Sequence, residues 1–460
     1  MSHIFNASIL REYDVRGIVG HSLGEEDAWA LGRSYAALAL AEGARRIAVG
    51  RDGRTHSPMM EAALVKGLTE GGLDVVRIGV GPSPMLYFAA ATLGVDGGIQ
   101  ITGSHNPPEY NGFKMLLNGR SVFGTEIQAL GRRAAEGDWS EGLGSITDTD
   151  VSDAYVDRLV DDFAGQGYRV GWDAGNGAAG VVIDRLIARL PGEHHAIHTE
   201  VDGTFPAHHP DPTVEANLAD LKDLVAREKL DFGIAFDGDA DRIGAVDSKG
   251  RVIWGDQLLI ILAEPVLKEQ PGATIIADVK ASQVLFDGIA ALGGKPLMWK
   301  TGHSLIKSKM KETGAPLAGE MSGHIFFKHR WYGFDDALYA AVRLIEAVSQ
   351  SGRSLTELTD AMPVSVATPE LRFQVDESRK FAVVEEVLGR LQSQGATIDP
   401  TDGARVKTDD GWWLLRASNT QDVLVARAEA KDQAGLDRLI EQVEAELARS
   451  GVSLNGGAGH

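Results

Sequence analysis

At 460 residues the chain is longer than one hydrophobic core usually sustains, so three or four domains with a large surface between them are expected. Apolar residues make up 43% and charged residues 24%, an ordinary balance for a soluble protein, while a formal net charge of -20 argues against nucleic acid or an anionic membrane as main partner. The absence of cysteine removes disulfides, thiolate zinc sites and cysteine nucleophiles in one step.

The N-terminus, Met1 to Ser8, has no basic segment followed by an apolar run, and no stretch is long enough for a membrane helix, so a cytoplasmic location is expected. From Ile47 the pattern reads strand to Gly50, polar loop Arg51 to Thr55, helix from about Pro58 to Glu70, strand Val75 to Ile78, a further helix and an apolar strand ending at Ile101. The same order returns twice. Tyr168 to Trp172 leads into Asp173 to Gly177, a helix and the strand Phe232 to Phe236; Ala273 to Ala277 leads into Asp278 to Ser282, a helix and the strand Pro296 to Trp299. After about Pro363 the pattern changes to Leu371 to Val375, a helix over Arg379 to Leu391, strands near Ala404 to Val406, Trp412 to Leu415 and Val423 to Glu429, and a last amphipathic helix to Ala448. The Gly/Ala/His tail after Leu454 reads as disordered. The predicted architecture is three similar α/β domains with mixed sheets in tandem, residues 1–148, 149–253 and 254–364, and a smaller α+β C-terminal domain, 365–460, around a central cleft.

Each repeat ends in a polar loop, and each loop carries a different chemistry. The first, Thr102-Gly-Ser104-His105-Asn-Pro-Pro-Glu-Tyr-Asn-Gly-Phe-Lys114, puts Ser104 after a strand, where open α/β sheets keep their ligands; Pro107 and Pro108 exclude a helix directly after it. Ser104-His105 lacks the G-x-S-x-G setting of a hydrolase nucleophile. The second, Asp237-Gly-Asp239-Ala-Asp241-Arg242, offers three carboxylates at alternate positions of a turn, a set suited to a hard cation of the Mg²⁺ type. A calcium EF-hand starting at Asp237 would need Gly and Glu where Arg242 and Ser248 stand. The third, Glu320-Met-Ser322-Gly-His324, presents an acceptor, a hydroxyl and an imidazole, which suits vicinal sugar hydroxyls. In the last domain Arg416-Ala-Ser418-Asn419-Thr420 has the inventory of an anion nest. Arg16, Lys114, Arg242, Lys280, His303 and Lys307 are read as further cations in or beside loops. Gly175-Asn-Gly177-Ala-Ala-Gly180 matches a dinucleotide fingerprint, but Asp173 at the strand end would repel a pyrophosphate, and tight strand-to-helix turning accounts for the glycines.

Taken together, these four loops resemble the α-D-phosphohexomutase family in its bacterial phosphomannomutase/phosphoglucomutase branch, over nearly the whole chain. The resemblance implies that Ser104 carries a phosphoryl group; that Asp237, Asp239 and Asp241 hold Mg²⁺ with the modified Ser104; that Glu320 and Ser322 grip the sugar O3 and O4; and that Arg416, Ser418, Asn419 and Thr420 hold the distal phosphate. Tyr13, Arg16, Lys280 and the Lys300 to His303 segment also match the pattern. His105, Lys114, Arg242, His303 and His324 are the positions it offers for acid/base and charge-stabilising work. The implied reaction interconverts hexose 1- and 6-phosphates through a hexose 1,6-bisphosphate, acting as intermediate and activator. Hexose phosphates are the expected partners and a monomer the expected state. Ala240 departs from a frequent Gly in the metal loop. Met321 and the R-A-S-N-T form fit the glucose/mannose branch better than the glucosamine branch. Rival readings are a phosphoglucosamine mutase, an NAD(P)-dependent oxidoreductase using Gly175 to Gly180, and a non-catalytic sugar-phosphate sensor.

Overall fold

The computed structural model describes residues 2–376, 378–419 and 421–452; Thr420 and the tail after Leu454 lie outside the described residues. Four sheets follow one another along the chain. In the first, the strand Arg46–Arg51 lies parallel to Asp74–Val80 on one side and to Gly97–Ile101 on the other, and Gly97–Ile101 pairs antiparallel with Tyr110–Leu117. The second repeats the arrangement: Tyr168–Asp173 lies between Gly192–Ile197 and Phe232–Phe236, and the latter turns back into antiparallel Ile243–Asp247. The third repeats it again, with Thr274–Asp278 between Lys295–Trp299 and Leu317–Gly319, and Ile325–Phe327 as the return strand. The threefold repeat is therefore one topology used three times, and each functional loop is the connection from the third parallel strand to its antiparallel neighbour. Parallel strands need crossovers with helices, so these strands are buried on both faces; Gly97–Ile101, Phe232–Phe236 and Leu317–Gly319 are buried at every position.

The loop after Ile101 is shorter than its sequence suggests. Lys114, read above as a loop cation, sits mid-strand in Tyr110–Leu117 opposite Gln100, and Arg16 likewise lies on a strand, Val15–Ile18, paired with Gly112. The alternation there is hidden because almost the whole strand is buried. His303 opens the helix His303–Thr313, which also carries Lys307. The glycines of the dinucleotide-like stretch serve packing: a Cβ on Gly177 would meet the Gly238 carbonyl oxygen at 2.9 Å, and one on Gly180 the Thr199 oxygen at 2.0 Å. The stretch ends in a 3-10 turn, Ala178–Val181, that leads into the short helix Ile183–Ile187.

The second and third units share a continuous core running from Trp172 and Phe236 to Phe327, Tyr339 and Ile345, into which the helix Ser83–Thr92 of the first unit packs through Met85 to Ala89. The first unit has a core of its own, and so has the fourth, an antiparallel sheet covered by the helices Lys380–Ser393 and Gln433–Arg449. The fourth unit docks on the third through Arg405, whose guanidinium donates to the carbonyls of Val279 and Ala281 (2.5 and 2.8 Å) and stacks 3.6 Å over Trp412. No helix among the described residues is long and apolar enough to cross a membrane.

Candidate active site

The three repeat loops and the strand-end loop of the fourth unit open into one cavity of about 1060 Å³. It is lined by Tyr13, Arg16, Ser104, His105, Lys114, Arg242, Lys280, His303, Glu320, Ser322, His324, Arg416, Ser418 and Asn419, so every predicted site residue among the described residues except the aspartate trio reaches it. The trio lies just behind the wall, fully buried.

Ser104 stands in the left-handed region, φ +49°, a strained setting for a residue with a Cβ. Its Oγ donates to Asp237 Oδ2 at 2.9 Å and lies 3.2 Å from His105 Nδ1. What holds the turn is a residue the sequence reading did not single out. Arg54, fully buried, donates to the carbonyls of Ser104, Asn106, Pro107 and Tyr110 at 2.6 to 3.0 Å. Its one legible signal is its place in the Arg51 to Thr55 loop, which follows the first strand of the repeat.

The three aspartates bring ligand atoms within 4.8 Å of one another. Burial, then the charges of Asp239 and Asp241, push the Asp237 carboxyl well above its ordinary value. Lys114 Nζ bonds Asp239 (2.6 Å) and Asp241, and Ser83 Oγ donates to Asp239. Burial alone would pull the Lys114 ammonium down, but the two carboxylates hold it well above its usual range. One oxygen on each of Asp239 and Asp241 is buried with no hydrogen-bond partner among the described residues, which is how a cradle for a cation presents itself. Ala240 between them takes φ +56°, a conformation glycine adopts without strain, so the departure noted above costs some strain and leaves the carboxylates in place.

The second and third loops touch. Arg242 Nε donates to His324 Nε2 (3.0 Å) and Ile243 N to Gly323 O (3.0 Å). Because His324 Nε2 accepts, its proton belongs on Nδ1, 3.0 Å from Asp335, another residue the sequence reading missed. His303 stacks on His324 with ring centres 5.7 Å apart; burial and then Lys307 hold its imidazole well below the ordinary value. His105 is lowered similarly by burial and by Arg242. Both rings are therefore neutral bases near pH 7.

Glu320 is aimed by Gly302 N (2.7 Å) and by Ser322 Oγ (3.1 Å). Arg416 is oriented by Asp402 (2.9 Å), and Lys280 pairs with Glu370 (2.7 Å), whose carboxyl that ammonium lowers to about 2. Tyr13 ties three units at one hydroxyl: it donates to Thr301 O (2.8 Å) and accepts from Asn419 Nδ2 (2.6 Å).

Three matching α/β units and a C-terminal α+β unit around one polar cleft define the α-D-phosphohexomutase class. Residues 7–141, 153–250 and 254–365 match the profiles of phosphoglucomutase/phosphomannomutase alpha/beta/alpha domains I, II and III, and residues 370–446 that of the C-terminal domain, so the chain belongs to the phosphoglucomutase/phosphomannomutase family. A phosphomannomutase/phosphoglucomutase from Pseudomonas aeruginosa is 46% identical over 434 residues, 94% of either chain. A phosphoglucomutase from Neisseria gonorrhoeae is 45% identical over 444 residues, 95% of this chain and 96% of its own. The crystal structure of a phosphoglucomutase/phosphomannomutase family protein from Burkholderia thailandensis matches with a TM-score of 0.92 at 41% identity, covering 99% of each chain.

Proposed function

We propose that the chain interconverts the 1- and 6-phosphates of glucose and mannose by passing a phosphoryl group through Ser104. The observation that carries this is the contact of Ser104 Oγ with Asp237, 2.9 Å, inside the cavity that Glu320, Ser322 and Arg416 also line. In the proposed sequence the phosphoryl group leaves Ser104 Oγ for O6 of a hexose 1-phosphate, whose hydroxyl proton passes to a neutral base. The resulting 1,6-bisphosphate turns over, its O1 phosphoryl group returns to Ser104 Oγ, and the protonated base returns its proton to O1.

Two phosphate dianions about 6 Å apart at an effective dielectric near 20 repel by on the order of 11 kcal/mol, which an acidic protein must offset locally. Arg16, Lys114, Arg242, Lys280 and Arg416 lie around the cleft for that purpose. The all-oxygen trio with its two orphaned oxygens fits Mg²⁺, held by Asp237, Asp239, Asp241 and the phosphoryl group of Ser104. When bound, it would neutralise charge on the transferring group. Lys114 and Arg242 line the same cavity as Ser104 and would stabilise the charge spread over the equatorial oxygens. His105 is within reach of Ser104 Oγ, and His303, whose buried Nδ1 has no partner among the described residues, is available to a substrate hydroxyl.

Glu320 and Ser322 read O3 and O4, which exchange places when the sugar turns, so one loop serves both orientations. O2 is left unread, which lets gluco and manno sugars share the site. Coupled assays test the reading: turnover is expected on glucose and mannose 1-phosphates with Mg²⁺, and none after chelation. A preference for glucosamine 6-phosphate would move the chain to the other branch, and no turnover on any of the three would leave a sensor.

A further inference from the structure

We propose that Arg405 is a positioning residue for the mutase reaction: with Arg427 it holds the backbone on both sides of Lys280, so that this cation of the third unit is set in place by the fourth. The inference rests on the reading above, in which Lys280 faces the substrate. Three successive carbonyls carry it. Arg405 Nη1 donates to Val279 O at 2.5 Å and to Ala281 O at 2.8 Å, and Arg427 Nη1 donates to the carbonyl of Lys280 between them. The N–H groups that follow are also met from outside the loop, Ser282 N by Asp256 Oδ2 (2.9 Å) and Gln283 N by Glu429 Oε1 (3.1 Å). Arg405, Arg427 and Glu429 belong to the fourth unit, as does Glu370, whose carboxylate accepts from Lys280 Nζ (2.7 Å).

The stretch Asp278 to Ser282 has in the third repeat the place that Arg51 to Thr55 has in the first. There Arg54 reaches out of the loop to hold the Ser104 turn; here guanidinium groups reach in and hold the loop itself. The far side of the loop is tied to the sugar-binding turn, because Asp278 accepts from Met321 N and from Thr301 Oγ1, each at 3.0 Å.

The residues that hold Lys280 and the one that meets the distal phosphate share a face of one sheet. On the strand Gly411–Ala417, Trp412, Leu414 and Arg416 alternate to the same side, and Leu414 lies directly across from Arg405 on Ala404–Lys407 and from Arg427 on Val423–Ala430. The Arg405 guanidinium stands 3.6 Å from the centre of the Trp412 ring and 5.3 Å from that of Phe286, and Trp412 Nε1 donates to Glu429 (3.0 Å). Its Nη2 is buried with no partner among the described residues. An aliphatic side chain would fill this place without stranding a donor; what arginine adds is a pair of bonds to the carbonyls that flank Lys280. Strands hold side chains more precisely than loops do, so the sheet fixes Lys280 and Arg416 relative to each other, and a phosphate drawn to Arg416 meets an ammonium already in place.

The test is a double-mutant cycle read in KM and kcat on glucose 1-phosphate, with Mg²⁺ and glucose 1,6-bisphosphate present. Lys280→Met is expected to raise KM about 10- to 100-fold, and Arg405→Met, which keeps the stem against Trp412 and removes every donor, about 10-fold, with smaller changes in kcat. In the double variant KM is expected to equal that of Lys280→Met, because a residue that acts by placing Lys280 then has nothing left to place. Arg405→Lys is expected to recover part of the loss, and it carries the same cycle should Arg405→Met fail to fold. A wild-type KM in Arg405→Met, or effects that multiply in the double variant as those of an independent structural brace do, would overturn the inference and leave the mutase reading intact. A KM that Lys280→Met leaves unchanged would overturn the placing of Lys280 against the substrate and the inference with it, and no turnover by the wild type would overturn the mutase reading as well.

Discussion

Ser104, proposed above as the phosphoryl carrier, depends on Arg54 to hold its backbone. The Ser104 turn has few hydrogen bonds of its own and is strained, so its carbonyls are met by a buried guanidinium with the fork geometry to reach four of them. Arg54→Met fills the space and removes every donor, leaving the buried Ser104 carbonyl and three half-buried or exposed ones without their shared partner, at a cost of about 1–3 kcal/mol for each that water cannot reach. A loss of at least about 3 kcal/mol is expected in denaturant unfolding; wild-type stability would show that Arg54 is not what holds the turn. Arg416 differs in kind, because Asp402 positions it and its remaining donors face the cleft. Arg416→Ala is expected to raise KM about 10- to 100-fold, the worth of one charged hydrogen-bond pair, with a smaller change in kcat. An unchanged KM would remove it from phosphate binding.

At the level of elements, the hairpin connection of each repeat does the work and helices brace it from behind. One brace is pH-sensitive. Asp336 caps the helix Ala337–Ser351 through Tyr339 N (2.9 Å) and accepts from Tyr155 OH of the second unit (2.9 Å), fully buried. Burial raises its carboxyl to about 7. Between about pH 4 and 7 the folded chain keeps a proton that the unfolded chain has released, so this group's contribution to stability falls as pH rises through that window, by on the order of 4 kcal/mol. Asp336→Asn stays neutral and keeps the cap, so thermal unfolding across a pH series should show that part of the slope gone; an unaltered slope would assign it to other groups. The repeats and all four loops were legible because each strand-to-loop switch is written in composition, apolar residues giving way to Asp, Gly, Ser and Asn. Lys114 was not legible as a strand residue, since its buried strand loses the alternation that marks one, and Arg16 was not because its strand, Val15–Ile18, has only four residues. Arg54, Asp335 and Asp402 act by touching chain-distant partners, which no local pattern reveals.

For the molecule as a whole, the pattern of cores sets what can move. Units two and three share one core, into which the helix Ser83–Thr92 of the first also packs, whereas the fourth has its own core and meets the third through polar contacts around Arg405 and a small patch of Val279, Trp412 and Leu414. In the structure Arg416 and Asn419 line the cleft, and Asn419 Nδ2 donates to the Tyr13 hydroxyl of the first unit, so the fourth unit is tied across the cavity to the first. The proposed reaction requires a phosphoryl group to rest on Ser104 between turnovers. Peptide-resolved mass spectrometry of the protein after incubation with glucose 1,6-bisphosphate and Mg²⁺ tests this directly. One phosphoryl group on the peptide containing Ser104, lost together with nearly all mutase activity in Ser104→Ala while hexose phosphate still binds, is the predicted result; full turnover by Ser104→Ala, or a phosphoryl group found only elsewhere in the chain, would contradict it.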